Sequence, residues 1–333
     1  AVRGFERFRR GFIVDIASDF FALLSAKTRV ESAQSQATNL EGDLRRAEAL
    51  AAAGRTLRIE AARARVSLLE SRNGVVNAQE AYDTSLDLFK IRMGMPTEMA
   101  MDVVEESLDL YNPYVSVEVA TETALKYRLD LLNVRDSIDD ARRNVKVNRN
   151  LLLPQFDFNG SATTVTDPVQ TNSASYNTER TTWRAGLSFE VPLDRKAERN
   201  AYRRSLIDLR RVERDYDEAK DRVRLEVRRA LRRIEQARYS MEIQKENIDI
   251  NKFRADQSRA QYELGRISSN RDVVEALDGW TAATNRFADA QSDFRRAILE
   301  FLRDTGTLRV NDDGGWVGND GADEPADATN DGS

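Results

Sequence analysis

Two segments of this chain, residues 54–94 and 265–306, read as copies of one helical unit. Gly54-Arg55 aligns with Gly265-Arg266, and after one extra residue the offset between the copies is constant. Glu60 then meets Asp272, Ala64 meets Ala276, Asn73 meets Asn285, Ala78-Gln79 meets Ala290-Gln291, and Phe89 meets Phe301. Each copy closes on a glycine, Gly94 or Gly306, at the same distance from its acid. A repeat this long means one helical design used twice. It points to a tube or bundle with internal symmetry rather than to a fold built around a single site.

Composition narrows the chemistry. The 333 residues include no Cys and no His. Disulfides, thiolate chemistry, His-based zinc sites and Ser-His-Asp catalysis are therefore excluded. No Gly-rich phosphate loop or metal-ligand cluster stands out, so no enzymatic activity, cofactor or metal is expected. Charged residues make up 32%, with only 16 Gly and 6 Pro, as in long water-facing helices. The net charge of −5 comes from interspersed acids and bases, which argues against nucleic acid as a partner. No apolar run is long enough for a transmembrane helix. No secretory signal is visible, and the sequence given begins with Ala1.

Periodicity divides the chain. Phe12, Ile16, Phe20, Leu23 and Leu24 predict a helix from about Phe5 to Ala53, ended by Gly54. A second helix is expected from about Arg58 to Met93, stopped by Gly94 and Pro96, then a loop over 97–115 and helices at 116–127 and 130–150. At 155–163 and 183–191 the period changes to two. Phe156, Phe158, Trp183, Leu187 and Phe189 fall on one face; Gln155, Asp157, Asn159, Arg184, Ser188 and Glu190 fall on the other. The same alternation suits a membrane barrel or a hairpin packed on a soluble helical bundle. A polar loop fills 166–180. Helical spacing returns from about Arg195 to Leu264, with Asp194 as its N-cap, and again from 270 to 304. Residues 311–333 hold almost nothing to bury, so a disordered tail is expected.

An all-helical chain broken by one amphipathic strand pair leads to a family. The chain resembles the outer-membrane efflux protein (TolC) family up to about residue 310. The resemblance rests on Leu152-Leu153-Pro154, on Gly186 to Leu193 in the second strand, on Tyr262-Glu263-Leu264-Gly265 followed by Asp272-Val273-Val274-Glu275-Ala276, and on the long-range helix repeat. It implies a mostly helical fold in which long antiparallel hairpins build an α-barrel tunnel, and the strand pair contributes to a trimeric transmembrane β-barrel. It implies an outer-membrane channel, extending into the periplasm, within a tripartite efflux or type I secretion system. Such a channel is a passive conduit whose partners are a periplasmic adaptor (membrane fusion protein), an inner-membrane pump and outer-membrane lipid. The expected parts are a first tunnel hairpin at 1–96, an equatorial loop and helices at 97–150, the strand pair at 151–193, a second hairpin at 194–306 and an acidic tail at 307–333. The family has two strand pairs where this chain has one. In the repeat, residues 116–211 lack a counterpart before Ala1, so an N-terminally truncated member is expected. The alternative is a soluble coiled-coil scaffold or adaptor without a pore, which has no need of the period-two segments.

The resemblance also implies a periplasmic gate. Asp272 and Glu275 lie three residues apart on one helix face just after the turn at Gly265. In the family, acids here ring the tunnel mouth; by themselves they equally suit the positive N-terminus of a helix. Tyr262 would hydrogen-bond an acid and hold the mouth shut, with Glu60 as the expected acceptor. Gly54 and Gly265 would form the two hairpin turns, and Phe156, Phe158, Trp183, Leu187 and Phe189 would face lipid.

Overall fold

Left-handed glycines set the helix lengths. The computed structural model describes residues 2–104, 114–164, 181–190, 194–264 and 270–309. Helix α1 (Val2–Ala52) runs without a break and stops at Gly54, which has φ 69°. There the Arg55 N–H bonds back to the Leu50 carbonyl at 2.9 Å, which satisfies a carbonyl the helix would otherwise orphan. Helix α2 (Arg58–Arg92) ends the same way at Gly94, φ 70°, with the Met95 N–H on the Lys90 carbonyl. The last helix, α6 (Arg271–Thr305), has the same 35 residues as α2 and closes on Gly306, φ 74°. The repeat is thus a repeat of helix length and of terminator.

Between these lie α3 (Val117–Tyr127), capped by the Ser116 hydroxyl on the Val119 N–H, and α4 (Leu129–Asn150). Strands β1 (Gln155–Thr164) and β2 (Thr181–Glu190) follow. Helix α5 (Lys196–Glu263) then runs 68 residues without Pro or Gly, and Asp194 accepts the Lys196 N–H at its start. Element boundaries fall within two residues of those expected, except that α1 begins at Val2 rather than near Phe5. The turn at Gly265, the loop at 166–180 and most of the acidic tail lie outside the described residues.

The chain forms two compact units, residues 1–130 with 222–333, and residues 131–221. In the first, α1 packs antiparallel on both α2 and α6. Small residues allow the second contact. Ser25 of α1 donates to the Ala288 carbonyl of α6 at 3.2 Å, the Ser25 and Ser292 hydroxyls meet at 2.6 Å, and Ser32 donates to Asn285 at 2.8 Å. The loop after α2 is partly core: Val103 is buried with Leu23, Leu86 and Phe89, and Lys27 holds it through Asp102 and the Val103 carbonyl. In the second unit, β1 and β2 pair antiparallel with Phe156 opposite Phe189, Phe158 opposite Leu187 and Ala162 opposite Trp183. Arg142 on α4 reaches Glu213 on α5 at 3.9 Å.

Gly94 and Gly306 separate two costs. A Cβ at Gly94 meets open space, whereas one at Gly306 falls 2.9 Å from the Tyr127 carbonyl oxygen. Gly94→Ala should cost about 1–2 kcal/mol from the left-handed conformation alone. Gly306→Ala should cost visibly more, because the α3 terminus must also move. Thermal melts followed by circular dichroism check the difference, and equal losses would contradict the close approach.

Candidate functional site

Two places stand out, and each is built by a few residues. The first lies where the hairpin tips meet in the first unit. Tyr262, near the end of α5, is 3% exposed among Leu40, Leu68, Ala255, Val273, Ala276 and Leu277. Its ring completes an apolar plug to which all four long helices contribute.

Around that plug sit acids with different tasks. Glu60, in the first turn of α2, is 6% exposed. One carboxylate oxygen accepts from Arg63 at 2.7 Å and the other accepts the backbone N–H of Asn270 at 3.1 Å. Asn270 is the N-cap residue of α6, and its own side chain makes no cap bond. Glu60 therefore caps α6 from another helix, where a carboxylate is favoured by unpaired N–H groups and the helix dipole. This departs from the expected Tyr262–Glu60 hydrogen bond: the Tyr262 hydroxyl is buried without a partner, and Glu60 is committed elsewhere. Desolvation, then the carboxylates of Glu60 and Asp43, push the Tyr262 phenol above its ordinary range.

Asp43 is a residue that sequence reasoning missed. It occupies the buried stripe of α1 between Leu40 and Ala47, and an acid on an apolar stripe is the signal that could have found it. It pairs with Arg46 at 3.1 Å and with Arg259 of α5 at 3.5 Å, while Arg46 also reaches Glu263 at 3.0 Å. These ion pairs tie α1 to α5. Burial pushes the Asp43 carboxyl up, against the two arginines that pull it down.

Asp272 and Glu275 lie exposed on the first turns of α6, and neither joins an ion pair among the described residues. A third acid continues their line. Asp278 accepts from Gln36, and its carboxyl is raised first by burial and then by Glu70 and Glu275. Among the described residues no group of acids could hold a metal ion. Gly54 forms the first hairpin turn; Gly265 is outside the described residues.

The second place is the strand pair. The register puts Phe156, Phe158, Trp183, Leu187 and Phe189 on one face, as their alternation predicted. All five are exposed, Phe156 at 66% and Trp183 at 78%. Opposite them lie Gln155, Asp157, Asn159, Arg184, Ser188 and Glu190. Among the described residues the sheet has two strands, and each keeps one edge unpaired. A hairpin packed on a helical bundle would have covered its aromatic face. Among the described residues no helix is long and apolar enough to cross a membrane, which says nothing of strands.

A long helical hairpin repeated, with a bare amphipathic strand pair between the copies, has counterparts. The outer membrane efflux protein family matches residues 120–306, more than half of the chain. The chain belongs to that family. Its members are outer-membrane efflux channel subunits, and this chain is one. The fold agrees with solved structures. The outer-membrane channel OprN superposes with a TM-score of 0.76 at 18% identity, covering 94% of this chain and 68% of that one. CusC gives 0.77 at 14% identity, covering 91% and 70%. VceC of Vibrio cholerae gives 0.71 at 12% identity, covering 89% and 70%. No curated protein matches the chain. The family forms trimers and works with adaptor and pump partners, and membership places it at the outer membrane.

Two outcomes follow for the hairpin tips. A carboxyl raised in the folded state binds its proton more readily there than in the unfolded chain. Asp43 therefore favours folding fully below the ordinary value of 3.8, and that contribution is lost as pH rises through the raised folded value. Acidification from neutrality should stabilise the parent protein relative to Asp43→Asn, read as the difference in thermal midpoint against pH. A difference that widens in the other direction would refute the burial argument. Tyr262→Phe removes a buried hydroxyl without a partner, so stability should stay level or rise by up to about 1 kcal/mol. A loss above that in urea titration would reveal a partner for the hydroxyl.

Proposed function

We propose that three copies of this chain build one conduit, with the strand pairs in the outer membrane and the helical hairpins forming a periplasmic tunnel. A periplasmic adaptor and an inner-membrane pump engage it, and the pump supplies the energy. The supporting observation is the ten-residue strand pair whose aromatic face is left exposed by the described residues. Strands of nine to eleven residues span a bilayer core, and apolar-out, polar-in alternation is the membrane-barrel pattern. Unpaired edges are costly in lipid, which requires further strands beside this pair. Phe156, Phe158, Trp183, Leu187 and Phe189 meet lipid in this reading, and the Arg184–Glu190 face lines water.

The periplasmic gate in this reading is carried by Asp272 and Glu275. They are exposed, unpaired and three residues apart on the turn of α6 nearest the hairpin tip. Three copies bring six carboxylates to one mouth, where mutual repulsion and cation attraction follow. Tyr262 and Glu60 act beneath them, Tyr262 as the apolar plug and Glu60 as the cap that fixes where α6 begins.

Single-channel recording in planar bilayers tests this reading. The protein should give small, cation-selective openings. Asp272→Ala/Glu275→Ala should raise conductance several-fold and weaken cation selectivity. Protein that inserts but never conducts would sink the conduit, and unchanged selectivity in the double variant would remove the gate from these acids.

A further inference from the structure

Charge is sorted by position on the two helices that join the strand pair. In α4, residues 131–140 hold three acids and one arginine, whereas 141–150 hold four cations and no acid. In α5, residues 212–221 hold five acids and two cations, whereas 195–211 hold seven cations and two acids. Both helices therefore turn from acidic to basic toward the strands, in a chain whose net charge is −5. The segment 165–180, which joins the strands at their other end, carries two acids and one arginine.

These cations are exposed and aligned. Arg142, Lys146 and Arg149 on α4, and Lys196, Arg199 and Arg203 on α5, recur in steps of three and four, so each set shares a helix face. All six are exposed, while Ser205, on the opposite side of α5, is buried. Lys146, Arg149, Arg199 and Arg203 join no ion pair among the described residues. Arg142 is held by Asp139 at 3.2 Å, and Lys196 approaches Asp194 only at 4.0 Å. Arg149 lies six residues before β1, and Lys196 six residues after β2. From Lys196 to Arg203 the helix rises about 10 Å. The headgroup layer beside a bilayer core is about 5–8 Å deep, and its charge is felt about 8 Å further at physiological ionic strength. The α5 set therefore falls within reach of headgroups if the strands cross the core.

We propose that this basic collar binds the anionic headgroups of phospholipids in the leaflet on the helical side of the strands. The proposal rests on the reading that the strands lie in a membrane, and it names the lipid class that the chain selects there. Cations that only kept a helix in water would be mixed with acids, as they are further along both helices. Here they are sorted by distance from the strands, on two helices far apart in sequence, and the apolar face of the strands begins where they end. Guanidinium groups offer paired donors to phosphate oxygens. Several cations near an anionic surface act together, each adding to the attraction. A zwitterionic headgroup carries its own ammonium and gains less. The collar also fixes depth, because drawing these charges into the core would strip them of water without a partner.

The test uses the full chain in nonionic detergent, with phosphatidylglycerol and phosphatidylcholine added in equal amounts and retained lipid counted by native mass spectrometry. The parent should retain phosphatidylglycerol over phosphatidylcholine by about fivefold or more. Arg149→Gln/Lys196→Gln/Arg199→Gln/Arg203→Gln should abolish the preference with helix content unchanged by circular dichroism, and the milder Arg199→Gln/Arg203→Gln should fall between. Arg149→Lys/Lys196→Arg/Arg199→Lys/Arg203→Lys, which keeps every charge, should retain the preference. Removing four exposed cations further along α5, Arg228→Gln/Arg229→Gln/Arg232→Gln/Lys252→Gln, should leave it unchanged. A parent without preference, a preference that survives in the collar variant, or an equal loss in the distant variant overturns the proposal. Displacement of phosphatidylglycerol by millimolar inorganic phosphate would assign the collar to free anions and overturn the lipid source. The membrane reading fails separately: a parent that stays dispersed without detergent and retains neither lipid takes the strands out of the membrane, whereas equal retention of both lipids keeps them there and removes only the collar.

Discussion

The close approach of α1 to α6 is the constraint on which the helical part depends. Interaxial distance is set by the side chains at the contact, and here those include Ser25 of α1 and Ala288 and Ser292 of α6. At that separation the Ser25 and Ser292 hydroxyls reach each other and the Phe21 and Ala288 carbonyls. A larger side chain at Ser25 or Ser292 would push the helices apart and orphan the hydroxyl left behind. Asp278, Asn285, Ser292 and Leu299, seven apart, keep the contact with α1 on one line over most of α6.

Because α1 lies against both α2 and α6, the hairpin tips come together with charge inside them. Glu60, Asp43 and Tyr262 are all buried there, and they are not treated alike. Glu60 is fully engaged by Arg63 and a helix N-terminus. Asp43 has two arginines but one carboxylate oxygen without a partner, and the Tyr262 hydroxyl has none. A junction with unsatisfied buried polar groups gains little from its polar contacts beyond specificity. The Ser25–Ser292 contact between α1 and α6, by contrast, has its hydroxyls paired.

The strand pair obeys a different rule. Its aromatic face is exposed and its outer edges are unpaired, a state that water tolerates poorly and lipid forbids at the edges. Neither feature is satisfied among the described residues.

Much of this was legible in sequence. Helix ends were fixed by Gly54, Gly94 and Gly306, because only glycine takes the left-handed terminator at little cost. The strand pair was fixed by period-two alternation, and its facing residues by the same count. The repeat predicted equal helices because the residues that set length recur with it. The tertiary structure decided what the acids do. Glu60 and Asp272 occupy equivalent repeat positions, yet one is buried as a cap for another helix and the other is exposed. No local pattern separates them, because burial depends on which helix arrives from more than 200 residues away. Tyr262 has its place for the same reason: its ring was readable as apolar, but the absence of a partner for its hydroxyl is a property of the assembled hairpin tips. The sequence by itself determined lengths, faces and terminators, which are local; the tertiary structure decided which charges are buried and paired, which depends on distant segments meeting.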